Sequence, residues 1–377
     1  MRILYVCRSL AYWGGIERVL VDKMNYLVRM YDDEVYMLTS DQGSHPVPYQ
    51  LESKVHLENL DICFHRQYKY PILKRIMVAR RLERLFMERL SERLRVIQPD
   101  VIICTTANYV DINVLAKVKG TIPLIVESHS IYRMTLGQKG LRNRYADYMY
   151  RKGLSKARMI VALTEGDAVE WRKEFRNVCV IPNIVHLNKG EISSLDNKRV
   201  IWVGRFDYQK RPMEIIKIWE MVYPKFPDWH LDIYGEGEQQ QELKELVRSL
   251  NMNIHIHKPT DMIFDCYRHS SILVSTSLFE PFGLVIPEAM SCGLPVVAYN
   301  CPFGPASVLT DGKDGFLVGK DNREVMVEKI CLLMNDDSLR IKMGKAAVAS
   351  SSRYSADYIM LLWKDLFGVT KHPVDFD

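Results

Sequence analysis

Short β-rich runs alternate with helical patterns along this chain, and the alternation runs through twice. RILYVC, EVYMLTS, DVIICTT, PLIVES and MIVALT are each followed by a longer helical or basic stretch. That order predicts a parallel sheet with crossover helices, because a parallel pair needs a long return path that a helix supplies. After VCVIPN the periodicity is lost through HLNKGEISSLDNK, a polar stretch with the composition of a linker. It then restarts with RVIWVG, HLDIYG, NIHIH, SILVST and PVVAY, interleaved with helices such as Pro212–Tyr223. The expected fold class is α/β, with two doubly wound parallel sheets facing a cleft. The expected domains are residues 1–186 and 199–354, with a linker at 187–198 and a final helix, 355–368, that packs back on the first domain. A length of 377 residues suits two domains of about 150 residues or more each.

Hydrophobic content of 47% and charged content of 26% are those of a folded globular chain and set disorder aside. The eight cysteines are scattered, with no CxxC pair, and several lie in apolar runs, so buried free thiols and a reducing compartment are expected. MRILYVC is too short an apolar run for a signal-peptide core, and no later run approaches the roughly 20 residues of a membrane span. These features predict a cytoplasmic protein. The net charge of +5 is mild but unevenly spread. Between Arg66 and Arg95 lie Lys69, Lys74, Arg75, Arg80, Arg81, Arg84, Arg89 and Arg93, against only Glu83, Glu88 and Glu92. Leu73, Ile76, Met77, Leu82, Leu85, Phe86 and Leu90 recur there at helical spacing, which makes the stretch a basic amphipathic helix. It reads either as a solvated helix face or as a surface that docks on anionic lipid at the inner face of the cytoplasmic membrane. Little aromatic interleaving and no nucleic-acid motif argue against a nucleic-acid partner.

In open parallel sheets ligands bind beyond the carboxyl ends of the strands, which directs attention to the residues just after each run. After RVIWV comes GRFDYQKR, where Gly204 permits a tight turn and Arg205 and Lys210 place two cations at the strand end. A diphosphate suits them, Arg as a bidentate fork and Lys as a point charge, although such residues are more often plain surface charges. After SILVST comes SLFEPFGLVIPEAMSCGLPVVA. Here Glu280 leaves the strand end, Pro281-Phe282-Gly283 turn into a helix, and Glu288 follows about two turns on. Two carboxylates can then flank a polyhydroxyl ligand, while the amides of Phe282, Gly283 and Leu284 face an anion. A glutamate near a helix start also suits the helix dipole without any ligand. CRSLAYWGGIER puts Gly14 and Gly15 between the first strand and first helix, where paired glycines allow close approach to a phosphate or sugar. The loop lacks both the GxGxxG spacing and the Walker lysine, which excludes the corresponding dinucleotide and P-loop readings.

These three clusters in this order resemble the GT-B glycosyltransferases, specifically the retaining family 4 branch, also called glycosyl transferases group 1. The resemblance covers almost the whole chain. Its most specific part is the E-x7-E pattern from Glu280 to Glu288, with GRFDYQKR and YGEGEQQQEL also matching. It implies two Rossmann-like domains, the first binding the acceptor and the second a nucleotide-sugar donor. By the same resemblance Arg205 and Lys210 hold the donor diphosphate, Glu280 and the following amides bind the transferred sugar, and Glu288 holds the ribose. Gly14 and Gly15 approach the donor phosphates from the other domain, and His129, in VESHS, lies beside the reacting sugar. The implied catalytic set is His129, Arg205, Lys210 and Glu280. The implied reaction retains configuration, uses an NDP-sugar and needs no metal or other cofactor. CPFGP, Cys301 to Pro305, resembles a subset of polysaccharide transferases and hints at UDP-sugars. The acceptor implied is a surface glycan or lipid-linked oligosaccharide. The D-x-D at Asp375 to Asp377, with no strand before it, is read as chance. Nucleotide-sugar epimerase, phosphorylase and catalytically silent binding protein stand as alternatives.

Overall fold

A computed structural model describes residues 1–106, 108–136 and 140–371; the Asp375 to Asp377 motif lies outside them. The chain divides into two compact units, Met1–Ile184 with Ala356–Asp377, and Val185–Ser355.

The first unit holds a seven-stranded parallel sheet of β1 (Arg2–Cys7), β2 (Glu34–Thr39), β3 (His56–Asn59), β4 (Val101–Thr105), β5 (Leu124–Glu127), β6 (Met159–Ala162) and β7 (Val178–Val180). The spatial order is β3-β2-β1-β4-β5-β6-β7, with registers such as Ile3 beside Val35 and Val101. Alternate residues of each strand serve opposite faces. Leu4, Val6, Ile102 and Val126 enter one core, with Phe86, Leu90 and Leu94 of the helix Ile72–Ile97. Ile3, Tyr5, Ile103 and Ile125 enter the other, with Leu20, Met24 and Leu27 of the helix Gly15–Met30. Both faces are covered, so the strands read as continuous apolar runs. The closing helix, Ala356–Lys371, belongs to this unit and adds Ile359, Met360, Trp363 and Phe367 to the second core.

The second unit holds a six-stranded parallel sheet of β8 (Arg199–Val203), β9 (His230–Tyr234), β10 (Ile254–His257), β11 (Ile272–Ser275), β12 (Val296–Tyr299) and β13 (Gly315–Val318), ordered β10-β9-β8-β11-β12-β13. Trp202, Phe206, Ile215 and Trp219 centre its core. The stretch 187–198, expected as a linker, lies within this unit. Ser193 and Leu195 in it are buried, the Ser193 hydroxyl donates to Ser270 O at 2.6 Å, and Arg340 donates to Leu195 O at 2.9 Å. The stretch is therefore tied to the body of this unit rather than being a free tether.

The basic stretch is also not one helix from Arg66 to Arg95. Phe64–Lys69 form a 3₁₀ turn, and the long helix starts at Ile72 after Pro71. Proline disfavours helical geometry in the residue before it, and Tyr70 is extended at φ −113° and ψ 151°. All eight cysteines are free, and burial pushes the thiols of Cys7, Cys292 and Cys301 up to about 12. No helix among the described residues is long and apolar enough to cross a membrane.

Candidate functional site

Each sheet reverses its strand order once, between β1 and β4 in the first unit and between β8 and β11 in the second. At such a switch point the two neighbouring loops diverge and leave a crevice at the carboxyl edge. The predicted residues fall at these two places.

In the second unit the loop after β8 and the loop after β11 are tied together. Leu278 N donates to Gln209 O at 2.8 Å, and Gln209 Nε2 donates to Phe279 O at 3.0 Å. The Thr276 hydroxyl donates to Lys210 O at 2.9 Å and accepts from Trp202 Nε1 at 2.9 Å. This framework brings Lys210 and Glu280 into direct contact: Lys210 Nζ donates to Glu280 Oε1, which also accepts from Ser277 Oγ at 2.7 Å. The pair is largely enclosed, with side chains 16% and 5% exposed. Glu280 Oε2 carries no hydrogen bond among the described residues. One carboxylate oxygen is thus fixed by the protein, leaving the other for a hydroxyl donor.

Arg205 differs from Lys210. Its side chain is 69% exposed and bonds Asp207 at 3.1 Å and Gln209 at 3.2 Å. It stands in water on the same loop as Lys210, able to reorient. Gly204 is where it is because Lys210 crosses it: a Cβ there would meet Lys210 Cγ at 3.3 Å and Trp202 at 3.1 Å. The YGEG turn after β9 packs against this loop, Gly204 N donating to Tyr234 O at 3.1 Å and Phe206 N to Glu236 O at 2.8 Å. Gly235, at φ +156°, allows that approach, since a Cβ there would lie 1.9 Å from Gly204 O. Sequence reasoning misses Gly235 and Gly237, although both sit in the YGEG motif.

Glu280 is held through its backbone as well. Its N–H donates to Pro302 O, and its carbonyl accepts from Phe303 and Gly304 N–H, all at 2.8 Å. CPFGP is therefore the clamp on Glu280. Gly283 sits at φ +85°, the left-handed region that glycine enters freely, and turns the chain into the helix Val285–Ser291. That helix has seven residues, so Glu288 lies one turn from its start and not two. Pro287 occupies the first turn, where a missing N–H costs little. The amides of Phe282, Gly283 and Leu284 donate to no backbone carbonyl among the described residues. Glu288 is 4% exposed and accepts from Tyr267 Oη at 3.5 Å.

In the first unit Gly14 caps the helix Gly15–Met30, and its carbonyl accepts from Arg18 N and Tyr49 Oη, both at 3.1 Å. His129 follows β5, its side chain 5% exposed, with Nε2 2.9 Å from Glu127 Oε2 in a close contact that lacks hydrogen-bond alignment. Glu127 in turn accepts from Lys23 Nζ, and both these side chains are 2% exposed. Burial alone would raise the Glu127 carboxyl, but Lys23 and His129 overcome it and hold the group near 2. The Lys23 ammonium stands 4.1 Å above the Trp363 ring, supplied by the closing helix. His129, Ser130, Thr105, Thr106, Thr135, Tyr150, Ile16 and Met134 line a cavity of about 160 Å³, rich in hydroxyls at the ends of β4 and β5. Gly14 and Gly15 adjoin Ile16 of this lining. Sequence reading missed Lys23 and Glu127, because a lysine in a helical pattern reads as surface.

Comparison with known proteins agrees with this arrangement. The family model "Glycosyl transferases group 1" matches residues 188–349 and "Glycosyltransferase Family 4" matches 13–189. An uncharacterized glycosyltransferase of Haemophilus influenzae is 28% identical over 94% of this chain and 96% of its own. A Campylobacter jejuni alpha-1,4-N-acetyl-D-galactosaminyltransferase, named for an undecaprenol-diphosphate-linked saccharide, is 23% identical over 99% of both. Staphylococcus aureus TarM, solved with Fondaparinux, alpha-GlcNAc-glycerol and UDP, has the same fold, with a TM-score of 0.76, 16% identity and coverage of 97% of this chain and 99% of its own. With two doubly wound units, an enclosed Lys210–Glu280 pair at one switch point and both family models in chain order, the chain belongs to the group 1, family 4 glycosyltransferases of the GT-B fold.

Proposed function

We propose that this glycosyltransferase takes a UDP-sugar and transfers the sugar, with retention of anomeric configuration, to a surface glycan or lipid-linked oligosaccharide at the cytoplasmic face of a membrane. The observation that carries the reading is the enclosed Lys210–Glu280 pair with Arg205 on the same loop. Cleaving the bond between the sugar and the diphosphate sends an electron pair to phosphate oxygen. Fixed cations stabilise that developing charge strongly where water is excluded. Lys210 is such a cation, and the exposed Arg205 can exchange its contacts with Asp207 and Gln209 for the diphosphate, as a fork. Glu280 Oε2 then accepts from a hydroxyl of the transferred sugar, and Glu288 from the ribose. Relatives named for lipid-linked and polymer acceptors, and a fold neighbour solved with UDP, support the acceptor and donor classes.

In this scheme the acceptor oxygen bonds to the anomeric carbon on the face the diphosphate leaves, and its proton passes to the departing oxygen. His129, with Glu127 behind it, orients the sugar. The chain's own cations supply the charge, and no metal is asked for.

The test is turnover of UDP-glucose, UDP-galactose and their N-acetyl forms with a polyprenyl-diphosphate-linked saccharide, the product read by the anomeric proton coupling in NMR. An α product from an α donor supports the reading. A β product overturns retention, and isomerised donor without transfer overturns the transferase assignment in favour of an epimerase.

A further inference from the structure

The helix Ile72–Ile97 has two halves with different surroundings. Its second half supplies every buried residue, Phe86, Leu90, Leu94 and Ile97. Its first half supplies none, and Ile72, Leu73, Ile76 and Met77 are 75%, 81%, 48% and 65% exposed. Tyr68 and Tyr70, in the turn before it, are 64% and 38% exposed. Apolar side chains scattered singly on a surface are ordinary, but six large ones within ten residues form a patch, and a patch marks an interaction site.

The charges of the two halves differ in the same way. In the second half Arg89 donates to Leu60 O, and Arg93 pairs with Glu58 at 2.7 Å. Residues 62–82 contain Arg66, Lys69, Lys74, Arg75, Arg80 and Arg81 and no aspartate or glutamate. Among the described residues none of these six is in an ion pair. Lys74 stands 4.6 Å over the Tyr70 ring and Arg75 4.1 Å over Tyr68, so two of the six cations lie against aromatic rings of the turn before the helix.

From this pattern we infer that residues 66–84 form a docking surface for an anionic lipid bilayer. Ile72, Leu73, Ile76 and Met77, at i, i+1, i+4 and i+5, project together from the helix tip. Ringed by cations, they match an interface whose headgroups are negative and whose acyl boundary is apolar. A phosphodiester backbone offers nothing to the four apolar side chains. A second copy of the same patch repels the six like charges. The surface deepens the proposed function, by bringing the enzyme to where a lipid-linked acceptor resides, but it rests on its own residues and its test needs no turnover.

Sedimentation of the full chain with sucrose-loaded vesicles of phosphatidylcholine, with and without phosphatidylglycerol, tests this. The chain is expected to bind the mixed vesicles at least tenfold more strongly. Two double variants, Leu73→Ser with Met77→Ser and Lys74→Ser with Arg75→Ser, are each expected to lose about tenfold or more of that binding. Because the replaced side chains are mainly exposed, melting temperature and UDP binding should stay as in the wild type. Equal binding to both vesicle types, or anionic-vesicle binding that survives both double variants, overturns the inference. UDP binding measured on the same samples reports the donor site separately.

Discussion

Replacing Lys23 by methionine removes one charge from a pair that is 2% exposed on each side and leaves Glu127 buried with the His129 ring as its remaining polar neighbour, 2.9 Å away. Methionine keeps most of the volume under Trp363, so the loss is electrostatic rather than a cavity. Leaving one partner of a buried pair uncompensated costs about 3–5 kcal/mol, against about 0–1 kcal/mol for an exposed pair. In a unit of roughly 200 residues each kcal/mol moves the melting temperature by about 2–4 °C, so Lys23→Met should lower the transition of the first unit by about 6–20 °C. Scanning calorimetry is the assay, since two units can melt separately and a single-transition treatment does not apply. Adding Glu127→Gln to Lys23→Met removes the stranded carboxylate and should restore part of the loss, so that the double variant falls short of the sum of the singles. A single-variant loss below about 1 kcal/mol, or strict additivity in the double variant, would mean that Lys23 does not compensate a buried Glu127 charge.

The same group sets a pH dependence. Burial opposes ionisation of Glu127, yet Lys23 and His129 hold its carboxyl at about 2, below the ordinary 4.5. Its stabilisation is therefore complete above about 4.5 and lost as pH falls toward 2, and melts of Glu127→Gln across that window should be flatter than those of wild type. Gly204→Ala puts a Cβ 3.3 Å from Lys210 Cγ and should lower kcat/KM with the UDP-sugar about tenfold, as displaced charge misses the phosphate. Gly235→Ala adds a Cβ 1.9 Å from Gly204 O at φ +156° and should cost about 2 kcal/mol or more in urea unfolding, together with donor binding.

Most of the fold was readable from sequence because both sheets are covered on two faces, which makes strands such as VIICT and SILVST stand out as apolar runs. β3 was missed because HLEN sits at a sheet edge with exposed or half-exposed side chains and no apolar run. β13 was missed because GFLV is four residues long and opens on glycine. At the second switch point Arg205, Lys210, Glu280 and Glu288 are legible as candidates in the sequence, since each stands in a spaced motif. The roles of Thr276, Ser277 and Gln209 are not, because they act by tying two loops that are some seventy residues apart, and small polar residues after a strand look alike in any loop. Glu288 is expected about two turns into its helix but lies one turn in, because Pro281 to Leu284 stay in the turn and the helix begins only at Val285. Lys23 was invisible for a simpler reason: the pattern of the first helix gives no sign that Glu127 and Trp363 will enclose it.

If the second unit holds the donor through Arg205 and Glu288, titration calorimetry with UDP on wild type, Arg205→Ala and Glu288→Gln will show it. Arg205 is 69% exposed and Glu288→Gln keeps the shape of the side chain, so both variants should stay folded. The wild type should bind UDP saturably and each variant at least tenfold more weakly, the order expected for loss of a charged hydrogen bond. Binding in both variants equal to wild type, or a wild type that takes up no UDP, contradicts that assignment of the donor site.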